Sequence, residues 1–311
     1  MRKIVSFAIC AAIAIQAVRA ESVEAIKYGN FDQWITRNIK ESKILGGQTR
    51  QVYEIGPAGT DNSGKAYTNR GGSPGGTSNV LPKPAGITKT SNAVYPEARG
   101  GGKCAKLVCE YEHCKAAGLV NIDVVVGGSI FTGEMIEPIK STSNPYSKMN
   151  MGVAFTKRPK ALRFDYKVLV PNTKQRTYSS GFGKKKTIAG SDKAEALIIL
   201  QKRVEDAKGN ITAYRVGTGR EQYGKSTGGW INSHKIPVHY GQTSAYPLIP
   251  AANSYYARNS KGKMVPVKEV GWAPAGTAPT HMIVMFSASG GVPYQGTLGL
   301  TMWVDNVALV Y

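Results

Sequence analysis

The chain has 311 residues, of which 41% are hydrophobic and 19% are charged, and this composition excludes a wholly disordered protein. Its 36 glycines indicate many turns, and therefore short strands rather than long helices. The formal net charge is +20, from 40 basic and 20 acidic residues. So high a positive charge indicates either that the protein binds an anionic partner or that the charge keeps its surface soluble.

Residues 1–20 have the pattern of a secretory signal peptide. Arg2 and Lys3 form a basic start, residues 4–18 are almost entirely apolar, and small residues precede Glu21. This run is too short for a stable membrane span, and no later segment reaches that length. We therefore expect an exported protein without a transmembrane segment, in the periplasm, at the cell surface or outside the cell. Loss of the segment's three basic residues lowers the net charge to +17, and outside the cytoplasm an acidic polysaccharide is a better partner class than nucleic acid.

The first part of the expected mature chain, residues 21–102, is predicted to be rich in loops. Residues 28–34, YGNFDQW, read as a polar turn that carries two aromatic side chains. Residues 46–102 are dense in Gly, Pro, Ser, Thr and Asn. Residues 52–55 interrupt this composition, and we predict one or two short strands in the region.

Strand patterns become denser after residue 103. The clearest is residues 160–168, in which Leu162, Phe164 and Tyr166 alternate with charged residues. Residues 191–196 could start a helix, but the hairpin pattern that follows favours strands. The remaining strand patterns lie at residues 105–109, 120–126, 129–136, 197–200, 211–216, 230–240, 282–286 and 300–309. This series predicts an all-β sandwich whose strands are separated by irregular, sometimes long, loops.

Three cysteines remain after the signal peptide. Cys104 and Cys114 would be roughly 33 Å apart on one extended strand, which is too far for a disulfide. Cys109 and Cys114 could meet only if residues 110–113 form a turn. The spacing is not that of a usual zinc site, and we favour small buried residues with at most one disulfide.

Several stretches together resemble the putative carbohydrate metabolism (PCMD) domain family. They are YGNFDQW, GSIFTGEMIEP, MGVAFTKRPKALRFDYKV, PTHMIVMFSAS and LTMWVDNVALVY. The resemblance runs from about residue 28 to residue 311. It implies that residues 21–311 form a single β-jelly-roll domain resembling carbohydrate-binding modules, in an exported or surface protein of a glycan-utilisation system.

A sugar-binding site needs exposed aromatic rings for the apolar face of the sugar and polar groups for its hydroxyls. The segment from residue 220 to residue 256 supplies such residues, and the polar face of the strand at 160–168 adds two more. Each ring could instead pack in the core or against a loop. The candidate carbohydrate-binding residues are Arg163, Asp165, Arg220, Trp230, Tyr240, Tyr255 and Tyr256.

The resemblance also implies a candidate structural calcium site. In jelly-roll carbohydrate-binding modules an N-terminal acidic turn and an acidic residue on the last strand often share the ion. The matching positions are Asn30, Asp32 and Asp305. Calcium takes six to eight oxygen ligands, so these three would need further ligands; alternatively, Asp32 caps a turn and Asp305 bonds nearby backbone.

Catalysis is the main alternative to binding alone. Hydrolysis of a glycosidic bond needs two carboxyl groups, and Glu134 with Asp165 is the pair that we would test. A lyase would use a Tyr or His base with a basic residue against a uronate, for which His234, His239 and Tyr240 are candidates. We therefore predict a carbohydrate-binding protein, with a glycoside hydrolase or lyase as the alternative and a surface structural or adhesive protein as a second one. The predicted partner is a polysaccharide or oligosaccharide. An acidic glycan would suit the positive charge of the chain.

Overall fold

The computed structural model describes residues 21–69, 72–116, 119–181 and 183–311. The predicted signal peptide lies outside these ranges. Within them, no helix is long and apolar enough to cross a membrane. The described helices are all short 3-10 turns, at Lys43–Leu45, Pro84–Gly86, Pro145–Lys148 and Ala251–Asn253.

Most of the ordered backbone in the described ranges is in β-strands. Their bounds in chain order are β1 Val23–Ala25, β2 Trp34–Lys40, β3 Thr49–Ile55, β4 Gly59–Asp61, β5 Gly75–Thr77, β6 Val94–Arg99, β7 Gly102–Ala116, β8 Val120–Gly127, β9 Ser129–Met135, β10 Met149–Met151, β11 Val153–Ala154, β12 Ala161–Leu169, β13 Gln175–Tyr178, β14 Ser180–Gly181, β15 Lys186–Ala189, β16 Ala194–Glu205, β17 Ile211–Tyr223, β18 Ile231–Pro237, β19 His239–Tyr240, β20 Tyr256–Arg258, β21 Met264–Trp272, β22 His281–Ser287, β23 Gln295–Gly296 and β24 Thr301–Val310.

Eight of these strands form a two-layered sandwich. The first sheet has the order β7-β24-β12-β18, and the second has the order β9-β22-β16-β17. If the eight strands are numbered 1 to 8 in chain order, one sheet has the order 1-8-3-6 and the other has the order 2-7-4-5. This is the strand order of a jelly roll. The predicted all-β jelly-roll sandwich with long irregular loops is therefore confirmed.

The core between the two sheets follows from the alternation of apolar residues along their strands. On β12, Leu162 and Phe164 point inward, and on β16, Ala196 and Ile198 do the same; all four side chains are buried in one cluster. The rings of Phe164 and Phe286 meet across the sandwich with their centroids 4.8 Å apart. Residues 194–196 of the segment that could have started a helix therefore belong to a strand, because β16 pairs with β17 and β22 and its inward side chains are buried in this core.

The chain crosses from the first sheet to the second between β8 and β9. Gly128 occupies this point, and a Cβ atom there would lie 2.1 Å from the carbonyl oxygen of Ala93. Only a glycine lets the two backbones approach so closely. The glycine pair at residues 127–128, which breaks the alternating pattern in the sequence, therefore marks the change of sheet.

The second sheet continues beyond the sandwich and closes on itself. Strand β17 pairs in parallel with β21, β21 pairs with β20, and β20, β10 and β9 return the path to β22. The ring encloses a second apolar cluster on the outer face of the sheet, which includes Phe131, Leu197, Ile199 and Ile283. One half of that outer face is therefore covered by β10, β20 and β21.

The N-terminal part contains more strand than predicted. Residues 46–102 hold β3, β4, β5 and β6 rather than one or two strands, because each pairs with a partner that lies elsewhere in the chain. Strands β3 and β4 flank β2, β5 pairs with β9 and β6 with β7. Arg37 of β2 donates a hydrogen bond to Glu54 of β3 at 2.7 Å and joins this part to the rest through an ion pair with Glu137 at 2.6 Å.

The three cysteines of the described chain are free and buried. Residues 110–113 form no turn: they lie within β7, paired with β8, so Cys109 and Cys114 cannot approach each other. Burial raises the pKa of the Cys104 thiol to about 11 and that of Cys109 to about 12. These thiols are inert core side chains, as the sequence reading favours.

Candidate functional site

A cleft of about 530 Å³ opens over the uncovered half of the second sheet's outer face. Four strands supply its floor, and their register places outward-facing side chains in rows across the sheet. One row is polar and consists of Ser129 on β9, Ser287 on β22, Glu195 on β16 and Gln222 on β17.

The next row of the floor is apolar except at one end. It consists of Phe131, Met285, Leu197 and Arg220, of which the last three line the cleft. Hydroxyl, carboxylate and amide groups thus lie directly beside apolar surface. That combination suits a ligand with both hydroxyl groups and C–H faces.

The walls of the cleft come from loops that carry tyrosines. Tyr146 comes from the 3-10 helix Pro145–Lys148, Tyr246 and Tyr255 come from the segments around the fourth 3-10 helix, and Tyr294 comes from the loop between β22 and β24. The rings of Tyr146 and Tyr255 meet edge to face with centroids 5.7 Å apart. Their packing fixes two walls relative to each other.

Glu195 is the carboxylate at the centre of the floor. Arg220 Nε and Gln222 Nε2 each donate to its Oε2 at 2.8 Å, and Arg220 Nη2 donates to the same oxygen at 2.5 Å. Among the described residues nothing donates to Oε1, so that oxygen is available to a ligand. Burial raises the pKa of Glu195, although the Arg220 guanidinium opposes the shift.

Arg220 differs from Glu195 in how far it reaches into solvent. Its side chain is 39% exposed, whereas that of Glu195 is 4% exposed. The carboxylate holds the guanidinium through Nε and Nη2 only. The remaining N–H groups of this rigid fork have no acceptor among the described residues, and Arg220 lines the cleft.

A buried ion pair supports one wall of the cleft. Glu269 on β21 accepts hydrogen bonds from both Nε and Nη2 of Arg215, and from the backbone N–H of Ile249 at 2.8 Å. Arg215 Nη1 donates to Thr218 on the cleft floor at 2.8 Å. The loop that carries Tyr246 and Ile249 is therefore tied to the sheet by charged hydrogen bonds.

The structure brings two of the predicted carbohydrate-binding residues together. Arg220 and Tyr255 both line the cleft. Tyr256 lies at its edge, where its hydroxyl accepts a hydrogen bond from Asn144 at 2.9 Å. Tyr240 is not available in the same way: its hydroxyl donates to the carbonyl of Pro159, and the Arg158 guanidinium covers its ring at 3.9 Å.

The other predicted residues lie on the opposite side of the sandwich, on the outer face of the first sheet. Asp165 on β12 pairs with Arg99 at 2.9 Å, and the same guanidinium stacks on the Trp230 ring at 3.8 Å. Arg163 donates to Ser233 at 2.6 Å. One binding site containing these residues together with Arg220 and Tyr255 is therefore not formed.

The acid pair considered for hydrolysis is also separated. Glu134 on β9 accepts from Asn150 at 3.2 Å and lies near Arg258, whereas Asp165 belongs to the first sheet and bonds Arg99, Ser233 and Asn306. The two carboxyl groups share no partner and face different surfaces. Their spacing along the sequence could not reveal this, because it depends on which sheet each strand joins.

The three candidate calcium ligands have other partners. Asn30 donates to Asp32 at 2.7 Å, Asp32 accepts from the Lys103 N–H at 2.9 Å, and Asp305 is paired with Arg99. A guanidinium thus occupies the position beside Asp305 where a cation would bind. These residues do not fit calcium, and the described ranges contain no group of three or more His, Cys, Asp or Glu residues that could hold a metal ion.

Glu195 is the functional candidate that the sequence analysis missed. It is the one charged side chain in the run from Ala194 to Leu200, which is otherwise apolar. A lone acid within a buried strand needs a paired or functional reason to be there. That signal was present in the sequence, but it does not by itself identify Arg220 as the partner.

Comparisons with known proteins leave the family open. No protein-family model matches the chain, and no curated protein is significantly similar to it, so the PCMD resemblance stays a prediction. Among solved structures it is similar to one described as a putative glycoside hydrolase from Bacteroides thetaiotaomicron, with TM-score 0.45 and 16% identity over 89% of this chain and 70% of that one. A second, described in the same words and from Bacteroides vulgatus, has TM-score 0.41 and 13% identity over 93% and 94%. Likenesses this distant support no conclusion about activity.

Proposed function

We propose that the cleft over the second sheet binds a polysaccharide or oligosaccharide. The observation that carries the proposal is Oε1 of Glu195, a buried acceptor that has no donor among the described residues and lies in a floor that tyrosine-bearing walls surround. Sugars present hydroxyl donors to such an oxygen and C–H faces to aromatic rings. A cleft of about 530 Å³ has room for a few sugar units rather than for a long polymer in full.

We further propose that the chain acts outside the cytoplasm, as part of a glycan-utilisation system. The support is the N-terminal pattern of residues 1–20. Mass spectrometry of the protein recovered from the producing cells tests this. A mature chain that begins near Glu21 supports export, whereas an intact N-terminus on the folded protein contradicts it.

The binding proposal is tested by a glycan array with the mature chain and two variants. Glu195→Gln removes the acceptor charge in the cleft, and Trp230→Ala removes an aromatic ring on the opposite face of the sandwich. We expect the first variant to lose at least about tenfold in affinity, since a charge-assisted hydrogen bond is involved, and the second to bind as the parent does.

Each other outcome of this experiment has a definite meaning. Loss of binding in Trp230→Ala alone would move the site to the outer face of the first sheet. Retention of no glycan at all would contradict carbohydrate binding and leave a surface structural or adhesive role ahead.

A second candidate function is enzymatic, and one observation favours it. Burial raises the pKa of Glu195, as suits a general acid, and the residue lines the cleft. Hydrolysis needs a second carboxyl group at a defined distance, but the nearby Asp192 is engaged with Ser289 and the Lys193 N–H. A reducing-end assay on any glycan that is bound decides the matter: product formation that Glu195→Gln abolishes would establish the enzyme.

A further inference from the structure

We propose that the glycan held in the cleft is anionic, with carboxylate or sulfate groups, and that Arg220 contacts such a group. This inference rests on the proposed function, because it names the class of sugar that the same cleft takes. It depends on how the charges that line the cleft are paired with one another.

Arg220 has hydrogen-bonding capacity that Glu195 does not use. Its Nε and Nη2 both donate to one oxygen of Glu195, which fixes the plane of the guanidinium. In the described structure nothing accepts from Nη1, and the side chain is 39% exposed. An arginine whose Nε and Nη2 are already bound, and whose Nη1 has no acceptor among the described residues, is preorganised to bind an anionic oxygen. Little further side-chain entropy is lost on binding.

The other charges that line the cleft do not cancel one another. Its remaining acid, Glu112, lies 3.7 Å from Lys89, and Arg215 is neutralised by Glu269. Two lysines of the lining, Lys140 and Lys148, have no acidic partner among the described residues. The cleft therefore carries a positive excess after all ion pairs are taken into account.

Part of this positive excess lies beside aromatic rings. Lys148 ends the same 3-10 helix that carries Tyr146, and Tyr146 packs on Tyr255. An uncompensated ammonium thus lies on a wall that also presents aromatic rings. A small anion such as free phosphate has no apolar face that could pack on those rings. A uronic acid or sulfated sugar can contact both the rings and the cations.

The experiment compares polymers that differ only in charge. Polygalacturonate is set against its fully methyl-esterified form, and dextran sulfate against dextran, in affinity electrophoresis at low and high salt. We expect at least one charged polymer to bind about tenfold more tightly than its neutral counterpart, and the difference to shrink as salt screens the contact. The pair that shows the preference tells carboxylate from sulfate.

Variants locate the effect. Arg220→Gln is expected to remove most of the preference for the charged polymer, and Lys148→Gln part of it; the latter leaves the pairing of Glu195 intact and so serves if Arg220→Gln folds poorly. Arg163→Gln is the matched control, since Arg163 lies on the opposite face.

Three results would overturn the inference. Equal affinity for charged and neutral polymers would contradict the anionic class while leaving carbohydrate binding in place. Equal losses in Arg220→Gln and Arg163→Gln would reduce the effect to general surface charge. Binding of no polymer, together with an empty glycan array, would contradict the proposed function itself.

Discussion

Arg37 and its two glutamates show how a single buried position responds to pH. The Arg37 side chain is 1% exposed and pairs with both Glu54 and Glu137. One guanidinium cannot fully compensate two carboxylates. Burial raises the pKa of Glu54 to about 8. The charge of Glu137 also raises this pKa, whereas the Arg37 guanidinium lowers it.

The raised pKa of Glu54 predicts a loss of stability as pH increases. In the unfolded chain this group loses its proton near pH 4.5, whereas in the folded chain it keeps the proton until about pH 8. The stabilising contribution is therefore fully present below pH 4.5 and is lost progressively between these values. Glu54→Gln mimics the protonated form, so we expect the variant to lose less stability than the parent between pH 5 and pH 8, by of the order of 1–3 kcal/mol.

Urea denaturation at pH 5, 6.5 and 8 measures this difference. Glu134→Gln is a suitable control, because Glu134 is partly exposed and lies outside the cluster. Parallel pH profiles for the parent and Glu54→Gln would contradict the assigned protonation.

The pairing of such residues could not be predicted from the sequence. Arg37, Glu54 and Glu137 come from β2, β3 and the segment after β9, and no local pattern connects them. The same holds for Arg220 and Glu195, which belong together only because β16 and β17 are neighbours in one register. The sequence shows that a charged residue is present, but which side chain it pairs with depends on the order of the strands in the sheet.

At the scale of elements, Gly133 controls the closure of the ring of strands. It lies on β9 with φ +135°, and an added Cβ would be 2.1 Å from the carbonyl oxygen of Asn150 on β10. Both the backbone angle and the contact exclude a side chain. The position where β10 joins β9 thus requires glycine.

Gly133→Ala is expected to destabilise the protein by roughly 2–4 kcal/mol, because the substitution strains the backbone and forces β10 away from β9. Thermal denaturation of the mature chain measures the effect. Gly101→Ala is the control: a Cβ there has nothing within 4 Å, and we expect a change within about 0.5 kcal/mol. Equal stability of the two variants would show that the contact with β10 does not restrict this position.

Element prediction worked best for strands that the sandwich covers. The predicted segments 160–168 and 282–286 correspond to β12 and β22 to within a residue or two, because burial on the inner face imposes strict alternation or a continuous apolar run. The strands that close the ring were not predicted. Strands β10 and β20 have three residues each, too few for any period to appear, and pairing alone maintains them.

At the scale of the whole molecule, the charge distribution has two sides. One face of the sandwich carries the cleft with two lysines that have no acidic partner in the part of the chain that the structure describes, and the other carries the paired network of Arg99, Asp165 and Asp305. Net charge and composition predicted an anionic partner class but could not tell which face would meet it. Only the topology separates Trp230 and Arg163 from Arg220.

The same topology predicts slow folding. Strand β24 lies between β7 and β12, and its Val304 is opposite Ala105 of β7. Proteins dominated by such distant pairings fold in roughly milliseconds to seconds or more slowly, since loop closure must precede the contacts. Stopped-flow refolding of the mature chain, followed by tryptophan fluorescence, should show no complete recovery within about a millisecond; full recovery in that time would contradict the argument.

The late arrival of β24 also matters while the chain is being made. Until that strand has left the ribosome, β7 and β12 lack the neighbour that joins them, and the first sheet cannot be completed. A nascent chain in this state has the apolar side chains of β7 and β12 without the neighbours that bury them in the finished core. Release of β24 from the ribosome is therefore the step that allows the core to close.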